Sequence, residues 1–316
     1  MPEGAHNPMS EATTDPLTRS HRRARLGRTI KRALIAAPVA ILGGSYLWAY
    51  FSIHPPKWKP RRTPQSVGVA YENVKFQSLD GMRLAGWFAP ATDATAVIIL
   101  CHGFPGTRSE VVDHLAFLHR AGFNVFTFDF RGRGESAGNT CTIGYREVND
   151  LLGAVRYLRA RPETKSQKIG VLGLSMGGAV CIMGAAREKE IAAVVADAPY
   201  ARLDRAVHQR FRAFLGPLAP VFRVPAQFFG ERLADFKVAD VAPLNEVARI
   251  SPRPLLLIHG TSDFLITPTD SKMLHAAARA PKQLWLVPGA RHTKAYQVAG
   301  KEYERRVTEF FQKALR

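Results

Sequence analysis

The sequence predicts an α/β fold: one mostly parallel, eight-stranded sheet with helices on both faces. Short, mostly apolar runs recur from residue 95 to residue 288, with TAVIILC at 95–101 a continuous one. Segments of helical periodicity separate most of them, and small or acidic residues gather just past their ends. An alternating strand keeps one face wet, whereas an unbroken apolar run is buried on both, as happens inside a parallel sheet covered by helices.

The elements follow in order. Residues 71–90, YENVKFQSLDGMRLAGWFAP, read as two alternating runs meeting at Asp80 and Gly81, a hairpin signal that supplies an antiparallel edge. TAVIILC at 95–101 is the first fully apolar strand, followed by a helical stretch at 110–121. NVFTFDF (124–130) leads to a helix near 145–160, KIGVLGL (168–174) to a helix near 176–188, and IAAVVADA (191–198) to a long insertion. PLLLIHG (254–260), a helix near 269–280, QLWLVP (283–288) and one amphipathic helix at 295–314 complete the pattern. In such sheets ligands meet the carboxyl ends of the strands, so the loops there are where chemistry is sought.

The N-terminus differs in composition. The net charge is +18, and residues 1–62 contribute +8 of it, with 11 Lys and Arg against Glu3, Glu11 and Asp15. Residues 1–18 are polar and expected to be disordered. RSHRRARLGRTIKR (19–32) then places seven Lys and Arg before 21 uncharged residues at 33–53. As a helix that run reaches about 30 Å, enough to cross a bilayer. It ends in Tyr46, Trp48, Tyr50 and Phe51, as at a membrane interface.

A cleaved signal peptide has the same layout, but this run is long and ends in bulky aromatics instead of a small-residue cleavage site. The expectation is an uncleaved single-pass signal anchor. Residues 1–32 form its basic cytoplasmic side, because seven positive charges precede the span and four follow it (Lys57, Lys59, Arg61 and Arg62). Residues 54–66 read as a stiff basic linker, and 67–316 as one catalytic domain outside the cytoplasm. The spread of charge points to an anionic lipid surface, and with no zinc-finger spacing or RNA-binding aromatic signature, no nucleic-acid partner is expected. Cys101, Cys141 and Cys181 are odd in number and far apart in sequence, which excludes a disulfide framework and a recognisable metal site.

Gly173-Leu174-Ser175-Met176-Gly177 fits G-x-S-x-G between a strand and a helix. Glycines flank the serine because the turn leaves no room for neighbouring side chains. A serine hydroxyl becomes nucleophilic when a base takes its proton, and that base needs an acid to fix its tautomer. His275 lies within a helical pattern, whereas His292 follows the last strand and is the candidate base. Asp263 occupies the loop after the preceding strand and is the candidate acid, with Asp270 the alternative. An oxyanion needs preorganised donors, assigned to the backbone N–H groups of Phe104 and Met176. His102 precedes the nucleophile in the chain and is read as structural.

HGF (102–104), DFRGRGES (129–136), GLSMGG (173–178), DAPY (197–200), GTSDFLITP (260–268) and ARHTK (290–294) occur in the order found in one family. Residues 67–316 thus resemble a serine-type α/β-hydrolase. They are most similar to the Bem46-like and serine aminopeptidase-like hydrolases, which often carry an N-terminal membrane anchor. The resemblance makes DFRGRGES a structural turn beside the active site instead of a dinucleotide loop. The serine at the elbow separates the chain from epoxide hydrolases and haloalkane dehalogenases, which carry aspartate there.

Residues 201–250 are too long for a simple connection and, by the same resemblance, form a helical lid. From 201 to 230 they hold five arginines against one acid, interleaved with aromatics; Phe211, Phe214, Phe228 and Phe229 are candidates for substrate contact. Pro217, Pro220 and Pro225 favour several short helices. The expected activity is hydrolysis of a small-molecule or lipid ester, thioester or amide, with no metal or organic cofactor required by the mechanism. An acyltransferase or a peptidase would use the same three residues, and a binding module on this fold would be expected to lack one of them.

Overall fold

A computed structural model describes residues 16–316, and side-chain environments from residue 25. The disorder expected for residues 1–15 lies outside the described residues. Residues 16–18 are not disordered as expected but open the first helix, α1 (Pro16–Ile53), which carries the basic and apolar segments without interruption. Its stretch Arg25–Ile53 is long and apolar enough to cross a membrane, with mean hydropathy 1.5 over an 18-residue window. The chain divides into two compact units, Met1–Gly44 and Ser45–Arg316.

In the larger unit, β1 (Glu72–Gln77) and β2 (Arg83–Ala89) form the expected hairpin. β3 (Ala96–Cys101), β4 (Asn124–Phe128), β5 (Lys168–Leu174), β6 (Ile191–Asp197), β7 (Leu255–Gly260) and β8 (Lys282–Val287) follow. The sheet order is β1-β2-β4-β3-β5-β6-β7-β8. β2 is antiparallel to β4 as well as to β1, so the sheet is mixed, and the pairs from β4 through β8 are parallel. Every residue of β3 is buried, as an apolar run inside a covered sheet requires.

The helices are α2 (Val112–Arg120), α3 (Glu147–Ala160), α4 (Met176–Arg187), α5 (Leu203–Leu215), α6 (Ala219–Ala234), α7 (Pro243–Glu246), α8 (Thr269–Ala277), α9 (Ala295–Ala299) and α10 (Lys301–Ala314). The core lies in two layers. Side chains of α3 and α4 pack on one face of the sheet, and those of α2 and α10 on the other.

Three local expectations are corrected. The closing helix is two helices, divided at Gly300, whose φ of +48° breaks the helical path. The helix expected from residue 110 begins as a 3₁₀ turn, Arg108–Val111, before α2. Of the three lid prolines, Pro217 lies in the 3₁₀ turn between α5 and α6 and Pro220 in the first turn of α6, where a missing N–H costs nothing, but Pro225 sits inside α6 without ending it.

Segment 54–66 lies along the larger unit. Buried Arg133 donates to the carbonyls of Pro56 at 2.9 Å and Gly106 at 3.2 Å, and also to that of Pro105. Arg62 pairs with Asp113 at 2.8 Å. Cys101, Cys141 and Cys181 are all buried and unbonded to one another.

Candidate active site

β5 ends at Leu174 and α4 starts at Met176, so Ser175 alone makes the turn. It holds φ 51° and ψ −113°, a conformation that costs a side-chain-bearing residue about 1–3 kcal/mol. The neighbours explain how the turn is built. A Cβ on Gly173 would lie 2.2 Å from the Gly177 backbone, and one on Gly177 would lie 2.3 Å from the Cys101 carbonyl oxygen. Only glycine at both positions lets the start of α4 press against β3 and β5 and hold the serine clear of them. The Asp197 carbonyl, at the end of β6, accepts the Ser175 N–H at 2.8 Å and fixes the turn from the other side.

His292 stands in the loop between β8 and α9. Its Nε2 lies 2.9 Å from Ser175 Oγ, and its Nδ1 lies 2.6 Å from Asp263 Oδ2. A carboxylate only accepts, so Nδ1 carries the proton and Nε2 is free to accept the serine hydroxyl. The Asp263 Oδ1 accepts the N–H groups of Leu265 and Ile266, each at 3.0 Å. Burial raises the Asp263 carboxyl, but the hydrogen bonds from His259 and His292 outweigh it and hold the group at about 2. The acid is therefore ionised across the working range of a protein.

The other sequence candidates fall elsewhere. Buried Asp270 accepts the Ala201 N–H at 3.0 Å, Arg205 Nε at 3.0 Å and Gln209 Nε2 at 2.7 Å, so it fastens α8 to the lid helix α5. His275 is on α8, where its carbonyl accepts Lys282 Nζ. Fully buried His102 donates from Nδ1 to the Gly103 carbonyl at 2.7 Å and accepts the Phe130 N–H on Nε2 at 3.1 Å, joining the loops after β3 and β4. Burial lowers its pKa, in keeping with a neutral ring.

The loop carrying Phe104 is pinned by Glu110, whose carboxylate accepts the Gly103 N–H at 2.7 Å. A Cβ on Gly103 would be 3.4 Å from the Ser175 Cβ, so this loop lies directly beside the serine. Met176 is the first residue of α4, and its N–H is among the four that a helix leaves without an internal acceptor.

Sequence reasoning overlooked His259. It sits on β7, four residues before Asp263, and its Nε2 is 3.2 Å from Asp263 Oδ2 and 2.8 Å from the Ile266 carbonyl. Nδ1 accepts the Ser271 hydroxyl at 2.7 Å. Asp129 opens the DFRGRGES motif. It accepts the Arg108 N–H at 2.8 Å and its guanidinium at 2.6 Å, and a Cβ on Gly134 would collide with it, which makes DFRGRGES a packed turn.

A cavity of about 290 Å³ opens on Ser175 and His292 and is bordered by Phe104 and Met176. Of the lid candidates, buried Phe211 lines it. Phe214 and Phe228 are more than half exposed, and Phe229 stacks edge-on to Tyr46 with centroids 5.5 Å apart. Among the described residues no group of three or more His, Cys, Asp and Glu is placed to hold a metal ion.

An eight-stranded mixed sheet with a strained serine turn at the end of its fifth strand is the architecture of an α/β-hydrolase. The model of the alpha/beta hydrolase family matches residues 98–306, and the chain belongs to that family. It is 32% identical over 252 residues to the uncharacterized protein YfhR of Escherichia coli (strain K12), covering 77% of this chain and 81% of that protein. It is 29% identical over 236 residues to the uncharacterized protein YqkD of Bacillus subtilis (strain 168), covering 73% and 75%. Among solved structures it is similar to the Pyrococcus furiosus esterase Pf2001, with a TM-score of 0.71 and 29% identity over 84% of this chain and 99% of that one.

Proposed function

We propose that this protein is a membrane-anchored serine hydrolase, Bem46-like in type, that cleaves a carboxylic ester, thioester or amide through an acyl-enzyme. The observation that carries the reading is the continuous relay from Asp263 through His292 to Ser175, with contacts of 2.6 and 2.9 Å, opening on an apolar cavity. The likeness to an esterase of known structure supports the same reading.

His292 Nε2 takes the Ser175 proton as Oγ attacks the carbonyl carbon. The resulting imidazolium is stabilised by Asp263, and the oxyanion lies against the N–H groups of Phe104 and Met176. Collapse expels the leaving group, which takes the proton from His292 and leaves an acyl ester on Ser175. Water, deprotonated by His292, attacks that ester and releases the acid and free serine.

The apolar N-terminal helix is the anchor, with the basic residues before it on the cytoplasmic side and the hydrolase outside. The arginines of the lid and linker favour an anionic lipid surface. Ser175→Ala in the full chain is expected to lower kcat on a p-nitrophenyl ester by at least about 10³-fold. Retained turnover by that variant overturns the reading.

A further inference from the structure

We infer that the acyl group taken at this site is a linear hydrocarbon chain, and that the last two turns of α1 form part of the wall against which it lies. The inference rests on the serine-hydrolase and anchor reading above and adds the substrate class and the source of its pocket.

Trp48, Ala49, Ser52 and Ile53 line the cavity that opens on Ser175 and His292. They belong structurally to the hydrolase unit. Ser45 is fully buried and its hydroxyl donates to the Phe222 carbonyl of α6 at 3.0 Å. The Ile53 carbonyl accepts the Cys141 N–H at 2.8 Å, and its side chain is part of the main core. Trp48 packs on Phe211 of the lid with centroids 4.7 Å apart. The helix end and the lid therefore close on each other over the catalytic serine.

The chemistry of the wall selects the ligand. Arg210 is the only Lys, Arg, Asp or Glu on it, and that residue is exposed. Ser52, Gln227 and Tyr200 are the other polar side chains on it besides Ser175 and His292, and the rest of the wall is apolar, where each buried methylene is favourable. Towards the N-terminus the same helix leaves this unit at Gly44, and the apolar residues it carries before that point are the part directed to the membrane. An acyl chain resident in the bilayer fits both features. Removal of residues 33–53 as a signal peptide would take away one side of the pocket.

Ala49 Cβ lies 4.0 Å from where a Cβ on Gly230 would be, so a large side chain at 49 enters the space between anchor and lid. Full-length protein in detergent micelles should hydrolyse p-nitrophenyl octanoate with higher kcat/KM than the acetate, rising roughly two- to fourfold per buried methylene. Ala49→Phe is expected to lower the octanoate-to-acetate ratio by about tenfold or more; an unchanged ratio overturns the proposal. If that variant does not fold, wild-type protein decides. An alkyl fluorophosphonate with a terminal diazirine phosphonylates Ser175 with loss of fluoride, and irradiation should then crosslink its tail to the peptide holding residues 45–53. Crosslinks confined to other peptides overturn this proposal while leaving the serine-hydrolase reading intact. Absence of any Ser175 adduct overturns both.

Discussion

His259 Nε2 lies 3.2 Å from the same Asp263 oxygen that His292 Nδ1 meets at 2.6 Å, so one carboxylate faces two imidazoles. His259 also donates to the Ile266 carbonyl, in the turn whose N–H groups cap the other oxygen of Asp263. Its place is that of a positioning residue, holding the acid that in turn holds His292.

The first prediction concerns pH. The Asp263 carboxyl sits at about 2, below its ordinary 3.8, so its ionised form stabilises the fold above pH 4, and that contribution is lost as pH falls from about 4 towards 2. His259→Gln weakens one of the two imidazole contacts and raises the carboxyl. Acid unfolding followed by tryptophan fluorescence should then begin at higher pH than in the wild type, and kcat/KM at pH 7.5 should drop about tenfold, ~1.4 kcal/mol of transition-state stabilisation. An acid transition at the wild-type position refutes the assignment of His259.

Two acids near the site can be separated by isosteric substitution. Asp263→Asn removes the acceptor that fixes the His292 tautomer and is expected to reduce kcat about 10⁴-fold. Asp270→Asn disturbs only the tether to Ala201, Arg205 and Gln209. It should keep kcat within about tenfold and cost about 1–3 kcal/mol in denaturant unfolding. The reverse pattern would make Asp270 the catalytic acid.

The serine turn makes a steric prediction. Gly177→Ala places a Cβ 2.3 Å from the Cys101 carbonyl oxygen, which neither backbone can relieve without parting α4 from β3. It should cost more than about 3 kcal/mol or abolish folding. Gly122 has a φ of +88° but nothing within 4 Å of an added Cβ. Gly122→Ala should therefore cost only about 1–2 kcal/mol. Urea unfolding of both variants checks the contrast.

Asp197 supplies a stabilising substitution. Burial pushes its carboxyl up to about 6 although Tyr303 donates a hydrogen bond at 3.0 Å, and its Oδ1 has no hydrogen-bond partner. Because the folded state holds this proton more tightly than the unfolded chain does, stability falls as pH rises from about 4 to about 6, and the full cost is present above that window. Asp197→Asn is expected to raise unfolding stability at pH 8 by about 1–3 kcal/mol and to give no gain at pH 4. Equal gains at both values would contradict the buried-charge account.

The sheet was legible because unbroken apolar runs such as TAVIILC are what a doubly covered strand requires, and this one is buried along its length as β3. The residues brought together at the sheet edge were legible because each follows its own strand: Ser175 after β5, Asp263 after β7, His292 after β8. His259 was hidden because a histidine within an apolar run reads as strand, and only packing shows it facing the Asp263 loop. The lid aromatics were legible as a cluster but not by direction. Phe211 turns inward and Phe214, three residues along the same helix, is exposed. Phe211 packs with Ala219 and Ala226 of α6 and with Trp48, more than 150 positions earlier in the chain, neighbours that no local pattern connects to α5.

The central claim, that Ser175 is the nucleophile, is tested most directly by treating the full-length protein with an alkyl fluorophosphonate and locating the adduct by peptide mass spectrometry. The account predicts a single phosphonyl adduct on Ser175 and none on the Ser175→Ala protein. Labelling that persists in the variant, or that falls on another residue of the wild type, would contradict it.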